Sequence, residues 1–107
     1  MAAMSELNAD FEDVNGETIV TLSKKKEQKD GPLKGVNFIN HNDTIRTNST
    51  ITTTCVSVRL PFNGELYGYD VEIPNGHQID VNQTVITPMR DEIRIRIVKI
   101  GQFTLHG

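Results

Sequence analysis

The sequence has a single cysteine, no tryptophan and no long apolar run. Cys55 stands alone among 107 residues, which excludes an intrachain disulfide and any cysteine-based metal cluster. A lone thiol suits a reducing compartment, so the expected location is cytoplasmic. No stretch approaches the roughly 20 apolar residues that a membrane helix requires. The opening Met1-Ala2-Ala3-Met4 runs into acidic residues without a basic region or an apolar core, so no signal peptide and no membrane partner are expected. The Asn-x-Ser/Thr triplets at Asn42, Asn48 and Asn82 are accordingly read as chance.

A strong excess of one charge is also missing. The net charge of -3 and a pI near 5.5 argue against non-specific binding to nucleic acid. Motifs that carry chemistry are absent from the sequence: no Gly-rich phosphate loop, no nucleophile elbow, no His-Glu-x-x-His. The histidines His41, His77 and His106 share no metal-ligand spacing. Cys55 has no histidine beside it to activate it and reads as a small, partly buried strand residue. No enzyme, no metal and no cofactor are expected.

What the sequence does contain is alternation. Val56, Val58 and Leu60 alternate with Ser57 and Arg59. Tyr67, Tyr69, Val71 and Ile73 alternate with Gly68, Asp70 and Glu72, and Ile79 and Val81 with Asp80 and Asn82. Ile93, Ile95 and Ile97 alternate with Arg94 and Arg96. A period of two marks strands with one buried face. Thr18 to Ser23 reads as a further strand opened by Asn15-Gly16, and Val36 to Ile39 as a short one. Lys24 to Gly35 reads as a charged loop, and Asn40 to Ser49 as a polar, turn-rich stretch into which Ile45 is tucked. Residues 1–15 are polar and acidic and are expected to form a flexible arm ahead of a single domain over 16–107.

Turn chemistry sets the register. Asn63-Gly64 is the preferred pair for a type I′ turn, because both central residues need positive φ. It places Leu60 opposite Tyr67, Val58 opposite Tyr69, Val56 opposite Val71 and Thr54 opposite Ile73. Pro61 then meets Leu66 in a non-hydrogen-bonded pair, where its missing N–H costs the ladder nothing. Pro74-Asn75-Gly76 as a three-residue loop places Val71 opposite Ile79 and Tyr69 opposite Val81. An odd-numbered loop over Thr87 to Asp91 sets Ile93, Ile95 and Ile97 beside Val85 and Thr87. A bulge near Ile97-Val98 keeps Arg94, Arg96 and Lys99 together outside. The fold class is therefore all-β: a small antiparallel sandwich or partly open barrel built on a C-terminal meander. Ile19 or Val20, Leu22, Val36, Phe38, Ile51, Phe103 and Leu105 form a second, smaller sheet.

Two charge groupings are candidate sites. In the expected register Asp70 faces Asp80, with Glu72 on the same face, and like charges so opposed call for an offset. Arg59, diagonal to Asp70, is the simplest one; a basic partner surface is the sharper one. Lys24, Lys25 and Lys26 in the loop and Arg90, Arg94, Arg96 and Lys99 near the last strand could instead track a nucleic-acid backbone. Against that stand the aromatic content of 6% and the assignment of Tyr67 and Tyr69 to the buried face. Charges along the last strand also protect an edge from aggregation. The favoured function is a non-enzymatic protein-binding or assembly module. It acts through strand edges or through Asp70, Glu72, Asp80, Arg94 and Arg96, on another protein or on copies of itself. The nucleic-acid-binding barrel is the alternative.

Overall fold

The structure, a computed structural model, describes residues 3–106. Strands dominate it and form two sheets. They are β1 (Met4–Glu6), β2 (Asn8–Val14), β3 (Glu17–Ser23), β4 (Thr50–Ile51), β5 (Cys55–Phe62), β6 (Glu65–Glu72), β7 (Gln78–Ile79), β8 (Val85–Pro88) and β9 (Glu92–Ile100). One sheet has the order β1-β6-β5-β4; the other has β2-β3-β9, with β7 and β8 both on the far side of β9. The two inner faces enclose one core. Val56, Val58, Leu60, Tyr67 and Val71 come from the first sheet, and Val20, Leu22, Ile86, Ile93, Ile95 and Ile97 from the second. Each such fully buried aliphatic contributes about 1.5–3 kcal/mol by leaving water.

The first hairpin forms as its turn chemistry requires. Asn63 and Gly64 have φ of 50° and 79°, and Leu60, Val58 and Val56 face Tyr67, Tyr69 and Val71. Beyond β5 the Ile73 N–H donates to Thr54 O at 2.9 Å, so the expected alignment of that pair also holds.

The meander does not continue past Ile73. At Pro74-Asn75-Gly76 the chain leaves the first sheet, and β7 pairs with β9, Ile79 opposite Lys99. Gly76 does adopt φ of 85°, and His77 N–H closes the turn on Pro74 O at 3.1 Å. The turn therefore switches sheets where the parity argument expected a hairpin. Either arrangement buries Ile79, which is why alternation alone could not separate them. Val81, expected inside, is exposed.

The last connection is even-numbered. Pro88 faces Ile93 and Ile86 faces Ile95, so Ile86 points inward and Val85 and Thr87 point out, one residue off the expected parity. No bulge interrupts β9 where it pairs with β3, from Glu17 opposite Val98 to Ser23 opposite Glu92. Strict alternation continues to Lys99, which therefore lies on the inner-face parity at the end of the sandwich.

Residues 1–15 were expected to be a loose arm. From Met4 onward they are two strands; Met1 and Ala2 lie outside the described residues. β1 runs parallel to β6 and β2 antiparallel to β3. Leu7 sits between them, its N–H donating to Gly68 O at 2.9 Å and its side chain 1% exposed. A chain that crosses from one sheet to the other in this way closes one side of the sandwich, as in a partly open barrel. β2 is an edge strand with a solvated outer face, so Asp10 and Glu12 mask the inward Ala9 and Phe11 in a polar-looking sequence.

The excursion from Lys24 to Ser49 is more ordered than a loop. It contains the short helix α1 (Lys26–Lys29), a 3-10 turn (Phe38–His41) where a strand was expected, and α2 (Asn42–Asn48). It supplies Leu33, Phe38 and Ile45 to the core. Gln28 Nε2 donates to Glu6 O at 3.0 Å and to Ser5 Oγ at 3.1 Å, covering the outer edge of β1.

Candidate functional site

The acidic constellation of Asp70, Glu72 and Asp80 is not assembled. Because β7 pairs with β9 and not with β6, Asp80 lies in the other sheet's connection. There it organises its own turn, accepting from Asn82 N–H at 3.0 Å and Gln83 Nε2 at 2.8 Å. Asp70 faces Ser57 across the hairpin. Arg59, the simple offset, is in place: Nη2 donates to Asp70 Oδ2 at 3.0 Å. Nη1 lies 2.8 Å from Asp70 Oδ1, but its hydrogen bond goes to Val58 O at 2.9 Å, so Oδ1 is held by charge alone. Glu72 is exposed at the end of β6.

The basic set is dispersed as well. Arg94 is bound to Glu92 at 2.7 Å. Arg96 makes a bidentate pair with Glu17 at 2.9 and 2.8 Å. Lys99, expected outside, has a side chain only 6% exposed and donates to Asp13 Oδ1 at 3.0 Å and Phe103 O at 2.7 Å. Its role is to close the end of the core. Lys24 and Arg90 do share one cleft, joined by Lys29 and Lys34, but Asp30 and Asp91 line it too. Lys25 and Lys26 belong to the start of α1.

Three carboxylates have pKa values held below the ordinary range: Asp13 by the Thr18 hydroxyl and Lys99, Glu17 by Arg96, and Asp70 by Arg59. A depressed folded-state pKa adds stability that is fully present above the unfolded value, near pH 4, and is lost as pH falls through the lower folded value. Urea unfolding at pH 7 and below pH 4 checks this. Stability is expected to fall over that interval, and Asp70→Asn to lower it at pH 7 and to shrink the difference.

Cys55 Sγ lies 3.4 Å from Ser57 Oγ and 3.8 Å from Glu72 Oε1. Burial pushes its pKa up, with Glu72 and Asp70 adding to the shift. Less thiolate at neutral pH means slow reaction. Alkylation by iodoacetamide at pH 7 is expected to be slower than for a free cysteine in an unfolded control. His41 packs edge-on to Phe62 and His77 stacks on Phe103 at 4.5 Å. Among the described residues no three of His, Cys, Asp and Glu converge on one point, and no helix is long and apolar enough to cross a membrane.

What the sequence reading missed is the side of the sandwich along β8, where α2 and the 3-10 turn flank the strand. Here β8 is an edge strand. Met89 N–H donates to Glu92 O at 2.8 Å, so by alternation Thr87 and Val85 bond inward to β9, while the N–H and C=O of Ile86 and the C=O of Pro88 point away from it. Ile86 has no other backbone partner among the described residues. Ile86 borders a shallow groove lined with it by Arg46, Ser49, Ile51, Thr84 and Val85. Val85, 41% exposed, and Met89 add apolar surface beside it. Pro88 sits at an outward position, where its missing N–H takes nothing from the β8–β9 ladder. The only sequence signal for this edge was that proline. Comparison with known proteins finds no matching family model, no matching curated protein and no matching solved structure.

Proposed function

We propose that this protein is a non-enzymatic binding and assembly module that takes an extended protein segment onto the free edge of β8. The observation that supports the reading is the unpaired backbone of Ile86 beside an apolar groove. Main-chain hydrogen bonds supply affinity in strand addition, and side-chain pockets such as that between Ile51 and Val85 supply selectivity. The large apolar side chains are buried in one core, and the cleft beside α1 gathers lysine, arginine and aspartate side chains. That arrangement suits a surface that binds more than one that turns over a substrate. The cytoplasmic setting expected from the lone thiol belongs to this reading.

The test is a display selection of extended heptapeptides against the full chain, followed by residue-resolved amide exchange. Selected peptides are expected to slow exchange at Ile86 and to lose binding to a Val85→Lys variant. Peptides that settle elsewhere and leave Ile86 unchanged would overturn the reading. A second reading, nucleic-acid binding, draws on the cleft that gathers Lys24, Lys29, Lys34 and Arg90. It requires oligonucleotide affinity that falls steeply with salt.

A further inference from the structure

The structure has a second free edge, and the two edges complement each other. Asn15 and Gly16 form a turn with φ of 49° and 80°, closing the β2–β3 hairpin at Val14 and Glu17. Alternation from that pair directs the backbone groups of Asn8, Asp10, Glu12 and Val14 toward β3. Those of Ala9, Phe11 and Asp13 point outward, with no other backbone partner among the described residues. The β2 edge carries Asp10 and Glu12 on the outer face of the sheet. The β8 edge carries no charge of its own, but Arg94 and Arg96, each also paired with a carboxylate of its own chain (Glu92 and Glu17), flank it on the same face, opposite Thr87 and Val85.

We infer that the occupant of the β8 edge is the β2 strand of a second copy of this chain, added antiparallel with Phe11 opposite Ile86. This rests on the strand-addition reading above and names its partner. Parity selects the direction. Ile86 and Phe11 both present free backbone groups and both point to the inner face, so an antiparallel, hydrogen-bonded pair keeps the faces matched. Parallel addition sets Ile86 against Asp10 or Glu12 and turns the acids away from the arginines. Charge selects the register. With Phe11 opposite Ile86, Asp10 falls opposite Thr87 in the row of Arg94, and Glu12 falls opposite Val85 in the row of Arg96. Neighbouring strands are about 4.8 Å apart, so each carboxylate lies two strands from its arginine, within reach of the two side chains together. Within one chain the same rows read Asp10-Thr21-Arg94-Thr87 and Glu12-Ile19-Arg96-Val85. The second copy therefore continues an alternation of acid and base that each copy already contains. Moving Asp13 opposite Ile86 instead sets its carboxylate on the inner face of the joint. The contact is head-to-tail, so each copy offers a further edge and assembly runs past the dimer, to open chains or to rings where the rotation between copies closes.

Sedimentation velocity on the full chain over a concentration series tests this. The wild type is expected to form species larger than a dimer as concentration rises, and less so at high salt. Thr87→Glu, which faces Asp10 of the next copy while lying beside its own Arg94, should weaken association roughly fivefold or more. Asp10→Lys should do the same, and the double variant Thr87→Glu/Asp10→Lys should recover it. Thermal melts confirm that each variant is folded. A wild type that stays monomeric throughout, or assembly indifferent to both single variants, overturns the inference. In that event, protection of the Ile86 amide by a selected peptide keeps the strand-addition reading standing, and its absence removes both.

Discussion

Gly68→Ala is expected to be the most damaging small substitution in the chain. A Cβ at this position would sit 1.9 Å from Val58 O and 3.3 Å from Arg59 Cα. Both are backbone atoms of the neighbouring strand, so no side chain can rotate to make room. Gly68 is opposite Arg59 in a non-hydrogen-bonded pair, where strands approach most closely. On its other side its carbonyl holds Leu7 at the corner between sheets. Moving β6 away from β5 to fit a methyl group therefore disturbs β1 as well. Overpacking typically costs about 1–3 kcal/mol; with only backbone to yield, the expected loss is about 3 kcal/mol or more, out of the roughly 5–15 kcal/mol a domain has. Gly64→Ala is the control. Its φ of +79° is unfavourable for alanine, but nothing lies within 4 Å of the new methyl, so its cost should stay near 1–2 kcal/mol. Urea midpoints of the two variants settle the order. A Gly68→Ala chain as stable as Gly64→Ala would show that β5 and β6 do not approach as described.

Leu7→Ala is expected to cost about 2–5 kcal/mol, the range for emptying a fully buried leucine site. The interest lies in where Leu7 is. It stands between Glu6 and Asn8 in a run that also holds Ser5, Asp10, Glu12 and Asp13, composition that suggests an arm free to move. If that segment were loose, shortening Leu7 would change little. Here it fixes β1 to β6 and β2 to β3, and its loss loosens the corner that joins the sheets. Calorimetric or urea unfolding reports the change, and a ΔΔG below about 0.5 kcal/mol, ordinary for a surface site, would contradict the placement.

These two residues also show where the sequence was legible and where it was not. The β5–β6 hairpin could be read because Asn63-Gly64 admits one turn type and long apolar side chains mark one face. Pro74-Asn75-Gly76 looked equally clear. Yet alternation states which face a residue occupies and not which strand lies beside it, and β7 satisfied its parity against β9. Val85 and Ile86 are adjacent β-branched residues, so their pattern gave no preference between faces, and the length of the Met89–Glu92 connection decided it. Lys99 kept its inward parity while carrying a charge that argued for the surface; Asp13, 86 positions away, was the missing partner. Gly68 carries no local mark of the close approach that requires it. In α2 the burial of Ile45 is legible but the helix is not, because six polar residues around one isoleucine show no helical period.

The candidate site was the least legible part for a related reason. Charged residues stand out in a sequence, and Asp70, Asp80 and the arginines are its most visible candidates. Most of these are satisfied within the chain, by Arg59, by an Asx turn, by Glu17 and Glu92. The main-chain groups left free at Ile86, and those along the outer edge of β2, are ones that no side-chain pattern reveals.

Amide exchange of the dilute chain, residue by residue, therefore tests the central claim most directly. Leu7, Ile93 and Ile95 should exchange at the slow rate of the core, and Ile86 quickly despite its buried side chain. An Ile86 amide as protected as Ile95 under those conditions would contradict a free β8 edge, and with it the site.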